Sequence, residues 1–492
     1  MIKLLKKYLF LIHKWTGFVM GLLFVVWFIS GFIMIYHSFP KPRPQNYFHG
    51  LSKFSGHETL SSPKDLLDKY PGSEIRLEIV NEQPVYRFPG RKPAIYNASS
   101  LKQLRSLGET ECRRILKSNF PADMIEVKEL NDFDQWIPWS YYKAYFPIYK
   151  YRLNDKHKTH VYVSSTKGEI VQETTHRSRV YAWMGAIPHW LYFKNLRLHS
   201  KLWSDVIIWL SAIGCIVCIS GIISGCIRLK RKKVQFHSPY KKKTLKWHHI
   251  GGLLFGCFVF TFILSGLMSL ADIPDWVVKR EKSVNYYQLW NKQIISDSTC
   301  HHGFTQLLQH NETATAKRIS FNNILGRSFY GVYSNKANKP DYYTIKEGKI
   351  MSLPKVSDSL LERNLKTLIP DKHYKTELLS DYNSFYRYNA KRLMPLPVYE
   401  VTLEDQFNTR LFIDHHTGKL LKVTNNSTQL QWWLYQGLHT FKFGCFSHYE
   451  GLRQTWLIFI SMGGTIVSLT AFLLFVRYLR RKTKSQLHKH YR

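Results

Sequence analysis

Several signatures are missing from this chain, and each absence removes a class of function. No G-x-G-x-x-G follows a strand pattern, which argues against nicotinamide or flavin chemistry within the chain. There is no Walker loop, which argues against an ATP-driven transporter, and no C-x-x-C-H, which excludes covalent haem attachment. Cysteine is sparse and does not form a convincing disulfide framework. Of seven, Cys215, Cys218, Cys226 and Cys257 sit in apolar runs, where the thiol behaves as a small hydrophobe, and Cys112, Cys300 and Cys445 are odd in number. Cys215-Ile-Val-Cys218 has redox spacing but no βαβ pattern around it. Acidic residues are few as well, 34 against 70 Lys and Arg, for a formal net charge of +36.

What is present is apolar and aromatic. Hydrophobic residues make up 45% and aromatic residues 15% of the 492, which excludes a disordered chain. Four runs approach or exceed the ~20 residues needed to cross a bilayer: Tyr8–Tyr36, Val206–Ile227, Ile250–Ala271 and Trp456–Val476. The first is too long for the apolar part of a signal peptide and lacks a small-residue cleavage site, so it reads as retained. These runs carry almost no polar groups, unlike the broken helices of a secondary transporter.

The flanking charges predict an orientation. Lys3, Lys6, Lys7 and Lys14, the nine basic residues of Arg228–Lys246 and the seven of Arg477–Arg492 make 20 basic residues without an acidic one. Such segments belong on the cytoplasmic side, with both termini there. The expected organisation is a first transmembrane helix in 1–36, an exported segment 37–203, a second helix 204–228 and a basic loop 229–247. A third helix 248–271, a second exported segment 272–453, a fourth helix 454–478 and a basic tail 479–492 complete it. With those 20 set aside, 50 basic residues still face 34 acids, leaving the exported part at about +16. Attraction to anionic lipid headgroups and an anionic substrate both account for that excess; nucleic acid is not an expected partner.

The chain repeats itself. His13-Lys-Trp-Thr-Gly17-Phe-Val-Met-Gly21, continuing to Ser30-Gly31, superposes on His248-His249-Ile-Gly-Gly252-Leu-Leu-Phe-Gly256, continuing to Ser265-Gly266, at one offset of 235. His189 and His439 each lie nearly forty residues before an Arg, Arg228 and Arg477, that closes an apolar run. In the exported segments, Val161–Ile170 is mirrored by Leu411–Leu420, each a strand, a tight turn with Gly168 or Gly418, and a second strand. Weaker hairpins fall around Ala94–Leu104 and Tyr342–Met351, and helical stretches at Ser62–Tyr70 and Asp358–Leu368. The reading is two small α+β domains, one inserted in each half of a duplicated chain.

The run Ala182-Trp-Met-Gly-Ala-Ile-Pro-His189-Trp-Leu-Tyr-Phe193, followed by Leu202–Ser211, resembles the PepSY-associated transmembrane family of bacterial inner-membrane proteins. So do Trp247–Gly256, Gly437-Leu-His439-Thr and the strand-turn-Gly-strand hairpins, which look like PepSY domains. The resemblance covers nearly the whole chain. It implies an internally duplicated four-transmembrane-helix bundle that carries b-type haem, with two periplasmic α+β, PepSY-like inserts. Some members of the family are ferric-siderophore reductases.

The histidines support a ligand reading by their own chemistry. Imidazole suits iron, and haem buried between helices is commonly held from two facing elements. His13, Gly17 and Gly21 share one helix face, where missing side chains make room for a flat macrocycle; the plain alternative is close helix packing through small residues. Ionisable groups in membrane segments are functional by default. His13 and His248 sit at the cytoplasmic ends of their helices, whereas His189 and His439 precede helices that start from the exported side. The expected pairs are therefore His13 with His248 and His189 with His439, two haem b groups stacked across the membrane. The outer pair lies some residues before its apolar runs, so a helical extension or folded-back segment must bring it to the haem. His249, one position from His248, and His199 with His448 are alternative ligands; His415-His416 and His301-His302 read as solvated.

The expectation is a transmembrane electron carrier that reduces ferric siderophores at the periplasmic face, with lipid as its surroundings and a membrane quinol or a separate reductase as donor. No catalytic side chain is assigned. The other reading is a haem-free PepSY-type protein that binds or regulates a partner in the cell envelope.

Overall fold

The computed structural model describes residues 2–70, 74–89, 93–104, 106–232, 235–280, 284–290, 297–310, 315–388, 394–443, 446 and 449–490. Four helices are long and apolar enough to cross a membrane: Ile2–Tyr36, Ser200–Arg228, Lys243–Met268 and Glu450–His490, here the first to fourth helix. Along the chain, β1 (Ile75–Val80), β2 (Gln83–Phe88), β3 (Ala94–Asn97), β4 (Met124–Leu130), β5 (Ile148–Leu153), β6 (His160–Ser164) and β7 (Glu169–Thr174) precede the second helix. A hairpin of β8 (Lys230–Lys232) and β9 (Gln235–His237) joins the second and third helices. Between the third and fourth come β10 (Arg318–Ile324), β11 (Arg327–Tyr333), β12 (Asp341–Lys346), β13 (Lys349–Ser352), β14 (Tyr374–Leu379), β15 (Val398–Leu403), β16 (Arg410–Asp414) and β17 (Leu420–Thr424).

The chain divides into two compact units. One holds 1–40, 177–274 and 430–492, the four long helices among them. The first and third helices each pack against the second and fourth, closing a four-helix ring. Small residues set the spacing: a Cβ on Gly21 would meet the backbone of Phe472 at 3.6 Å, and one on Gly256 would meet Ile222 at 3.0 Å. Such close approach is how apolar helices gain packing where lipid offers no hydrophobic driving force. Met20, Phe24, Trp27, Phe28, Val259 and Phe262 fill the interior, while Val19, Trp209, Leu254 and Phe459 remain exposed on the outside, as lipid-facing residues would be.

The other unit holds 41–176 and 275–429. Its largest sheet has seven antiparallel strands in the order β13-β12-β11-β10-β1-β2-β3. The β1–β10 pairing, with Leu77 opposite Ile319, joins the two chain segments in a single sheet. Two separate inserts, as the sequence suggests, therefore give way to one unit with a shared sheet. Buried alternation on β1 and β10 explains why: Ile75, Leu77, Ile319 and Phe321 are fully buried in one core, and neither strand covers that face alone. Two further four-stranded sheets run β4-β5-β6-β7 and β14-β15-β16-β17. The hairpins β6–β7 and β16–β17 turn through Gly168 at φ +55° and Gly418 at φ +77°, left-handed positions that favour glycine. Both carry a register shift, at Tyr162/Val163 and at Phe412/Ile413. The helix expected at Asp358–Leu368 spans those residues, capped by Ser357. Ala94–Leu104 turns back on itself as a short hairpin: besides pairing with β2, β3 meets the return segment through the Tyr96–Gln103 bridge, the Asn97 N–H to the Lys102 carbonyl at 3.0 Å and the Leu104 N–H to the Ile95 carbonyl at 3.1 Å. Cys112 and Cys300 are buried and form no disulfide among the described residues; Cys445 lies outside them.

Candidate functional site

The helical unit brings its histidines together two by two. The His13 and His248 rings stack with centroids 6.1 Å apart, and the His189 and His439 rings meet at 6.2 Å. His13 and His248 lie within long helices. His189 and His439 stand on short ones, Ala186–Trp190 and Leu438–Thr440, so a folded-back segment carries each to the bundle. Each short helix ends in a left-handed residue, Leu191 at φ 50° and Phe441 at φ 52°.

Every ring is aimed by its Nδ1. His13 Nδ1 donates to the Val217 carbonyl at 3.1 Å, and His248 Nδ1 to the matching Val467 carbonyl and to Thr470 Oγ1, both at 3.2 Å. His189 Nδ1 donates to the Trp27 carbonyl and Ser30 Oγ, both at 3.1 Å. His439 Nδ1 donates to Ser265 Oγ at 2.9 Å and the Phe262 carbonyl at 3.3 Å. A carbonyl only accepts, so the proton sits on Nδ1 and the neutral ring leaves its lone pair on Nε2. Burial holds His189 and His439 down at about 4, which keeps both rings neutral. None of the four Nε2 atoms makes a hydrogen bond among the described residues. An Nδ1–H fixed by a carbonyl with Nε2 free is the arrangement of a metal-ligating imidazole.

Geometry and ligand number agree with an iron that brings its own ring. Two imidazole nitrogens roughly 2 Å from one metal put their ring centroids roughly 6 Å apart, close to both observed separations. Among the described residues no group of three or more His, Cys, Asp or Glu could hold a bare ion. Either pair, His13 with His248 or His189 with His439, could hold the iron of a planar macrocycle that brings its remaining ligands with it. Glycines lie against the rings: a Cβ on Gly31 would come within 3.7 Å of His189 Cε1. On Gly221 a Cβ would lie 2.5 Å from His13 Cε1, so that position admits only glycine beside the ring.

The remaining candidates are placed elsewhere. His249 uses both nitrogens, Nδ1 to Ser238 Oγ at 3.0 Å and Nε2 to the Gly225 carbonyl at 2.9 Å, and has no lone pair to spare. His199 precedes the second helix as its N-cap residue; His448 lies outside the described residues. In the sheet unit, His416 Nε2 bonds the Leu353 carbonyl, and His415 packs edge-on against Tyr399. His301 and His302 sit on the helix Asp297–Leu308.

Sequence reasoning missed the groups that orient the rings. Four of them are backbone carbonyls, which carry no residue signature. The Ser-Gly pairs were visible as a repeat, but their role was not: Ser30 and Ser265 serve the outer rings, not the histidines that begin their own motifs.

A family model for the PepSY-associated TM region matches residues 10–320, and the chain belongs to that family. The matched stretch contains His13, His189 and His248. No curated protein matches the chain.

Proposed function

We propose that this protein is a duplicated, four-helix membrane electron carrier that binds two b-type haems, one between His13 and His248 and one between His189 and His439. The observation that carries it is the pair of ring separations, 6.1 and 6.2 Å, with each Nδ1 tied down and each Nε2 free. Matching supports at the two members of each pair favour two copies of one helical unit. Along the first helix, from His13 to the Trp27–Ser30 turn that holds His189, the rise is roughly 20 Å. The two sites therefore sit at different depths, suited to passing electrons across the bilayer.

Bound haem supplies a one-electron couple. Of the chain's own residues, His13, His248, His189 and His439 would hold the haems, the Nδ1 bond of each orienting its ring, and Phe24, Phe28 and Phe262 pack in the apolar core of the bundle. The basic segments beside the spans support a cytoplasmic position for both termini and a periplasmic one for the sheet unit, in a bacterial inner membrane. The acceptor is proposed to be a ferric siderophore or related ferric chelate, and the donor a quinol or separate reductase. That part rests on the family resemblance and on the positive charge of the exported segments.

A visible spectrum of the purified protein tests the haem claim. A sharp Soret band and a reduced α-band at about two haems per chain are expected, and a colourless protein would favour a haem-free binding role. His13→Ala and His248→Ala should each remove one and the same haem, and His189→Ala and His439→Ala the other. Mixed with ferric siderophores, the reduced protein should reoxidise and release Fe(II) to a chelator; an unchanged spectrum removes the reductase claim alone.

A further inference from the structure

The indole N–H of Trp27, in the bundle, has no partner among the described residues. Trp27 is 9% exposed. Phe24 stacks on it at 6.1 Å, and Phe28, Phe262 and Phe441 belong to the same apolar cluster. An N–H withdrawn from water and left unpaired is costly, so buried indoles normally find a partner. Ser224 Oγ is also unpaired in the bundle, but a serine hydroxyl can turn to a carbonyl of its own helix, and an indole N–H cannot.

The position of Trp27 says what kind of partner is missing. Its carbonyl is the one that holds His189 Nδ1, at 3.1 Å. The matching residue in the third helix is Phe262, whose carbonyl holds His439 Nδ1 at 3.3 Å. The two backbones do the same work, yet only one side adds a side-chain donor. We propose that Trp27 Nε1–H donates to a carboxylate side arm of the planar cofactor held between His189 and His439, and so fixes which way round that cofactor sits. The assignment rests on the haem reading above.

Haem loss to a scavenging apoprotein tests it, followed separately for the two haems, the outer one being that absent from His439→Ala. Trp27→Phe should lose its outer haem about tenfold faster than wild type, the effect of one hydrogen bond to a charged acceptor, with the inner haem unchanged. Wild type reconstituted with haem dimethyl ester, whose side arms carry no charge, should show the same acceleration at the outer site; this arm does not depend on the variant folding. In Trp27→Phe, ester and free acid should leave that site at equal rates. Wild type that holds both forms and loses them equally slowly overturns the proposal for Trp27. So does a variant that destabilises both haems alike. Wild type that takes up neither form overturns the haem reading itself.

Discussion

The buried polar groups of the two units differ in one respect. In the sheet unit, Glu78 on β1 is fully buried, and its carboxylate accepts from Arg87 Nε at 2.9 Å, Arg318 Nε at 2.6 Å and Tyr47 Oη at 3.3 Å. Arg87 Nη1 goes on to the Lys167 carbonyl at 2.7 Å, and Arg87 Nη2 to Tyr47 Oη at 2.9 Å. In the helical unit the four paired histidines each spend one nitrogen on the chain and keep the other. A buried group whose valences are filled by its own chain is explained by folding. Four that stop one bond short, in two facing pairs, are the feature on which the proposal of bound haem rests. The contrast separates a polar cluster closed by its own chain from one proposed to bind, without reference to residue type, since both consist of ionisable side chains.

Removing the carboxylate should break the closed cluster hardest. Glu78→Ala strands two buried guanidinium groups, and breaking a buried pair from one side costs about 3–5 kcal/mol. Arg318 lies on β10 and Arg87 on β2, so the loss also falls on the pairing that joins the two chain segments. The denaturation midpoint of the sheet signal should drop sharply in detergent, while the haem bands of still-folded protein stay as in wild type. A variant with wild-type midpoint would mean that the cluster is not closed.

The same carboxylate gives a pH dependence with a definite sign. Burial alone would raise its pKa, but Arg318, Arg87 and Arg76 outweigh it and hold it at about 2, below the ordinary 4.5. A depressed folded-state value contributes stability that is fully present above the unfolded value and lost as pH falls from about 4.5 towards about 2. That gap is worth about 3 kcal/mol at most. In Glu78→Gln the acid-induced loss should shrink by that amount; an acid limb identical to wild type would assign it to other carboxylates.

These two clusters were unequally legible. The histidine pairs stand out because side-chain repeats survive in a linear string: His13 and His248 begin the same Gly-x-x-x-Gly motif, and their rings lie 6.1 Å apart. The four long helices were legible for the same reason, as uninterrupted apolar runs. The Glu78 cluster has no such trace. Its partners come from 9, 31 and 240 residues away, and only the β1–β10 pairing brings the farthest within reach. Nothing in the alternation of Ile75–Val80 says which strand will lie beside it. The helix Asp358–Leu368, by contrast, needed only local periodicity and a serine cap. His248 and His249 could not be separated by spacing alone; what distinguishes their rings is that Ser238 and the Gly225 carbonyl occupy both nitrogens of His249.

The smallest expected effect lies within one open pair, where the two rings are not held alike. His13 Nδ1 has one acceptor, the Val217 carbonyl. His248 Nδ1 has two, the Val467 carbonyl and Thr470 Oγ1, and the threonine hydroxyl in turn donates to the Ile466 and Val467 carbonyls at 2.8 Å. Thr470→Val keeps the shape and removes one acceptor, leaving His248 supported as His13 is. Loss of a whole supporting partner weakens metal binding about 10- to 100-fold. With the carbonyl still in place, the inner haem should leave only a few times faster, its α-band slightly shifted and the outer haem untouched. A tenfold or larger loss would make the hydroxyl the principal support of His248. An effect on the outer haem would show that the two sites, placed roughly 20 Å apart along the helix by its rise, are not independent.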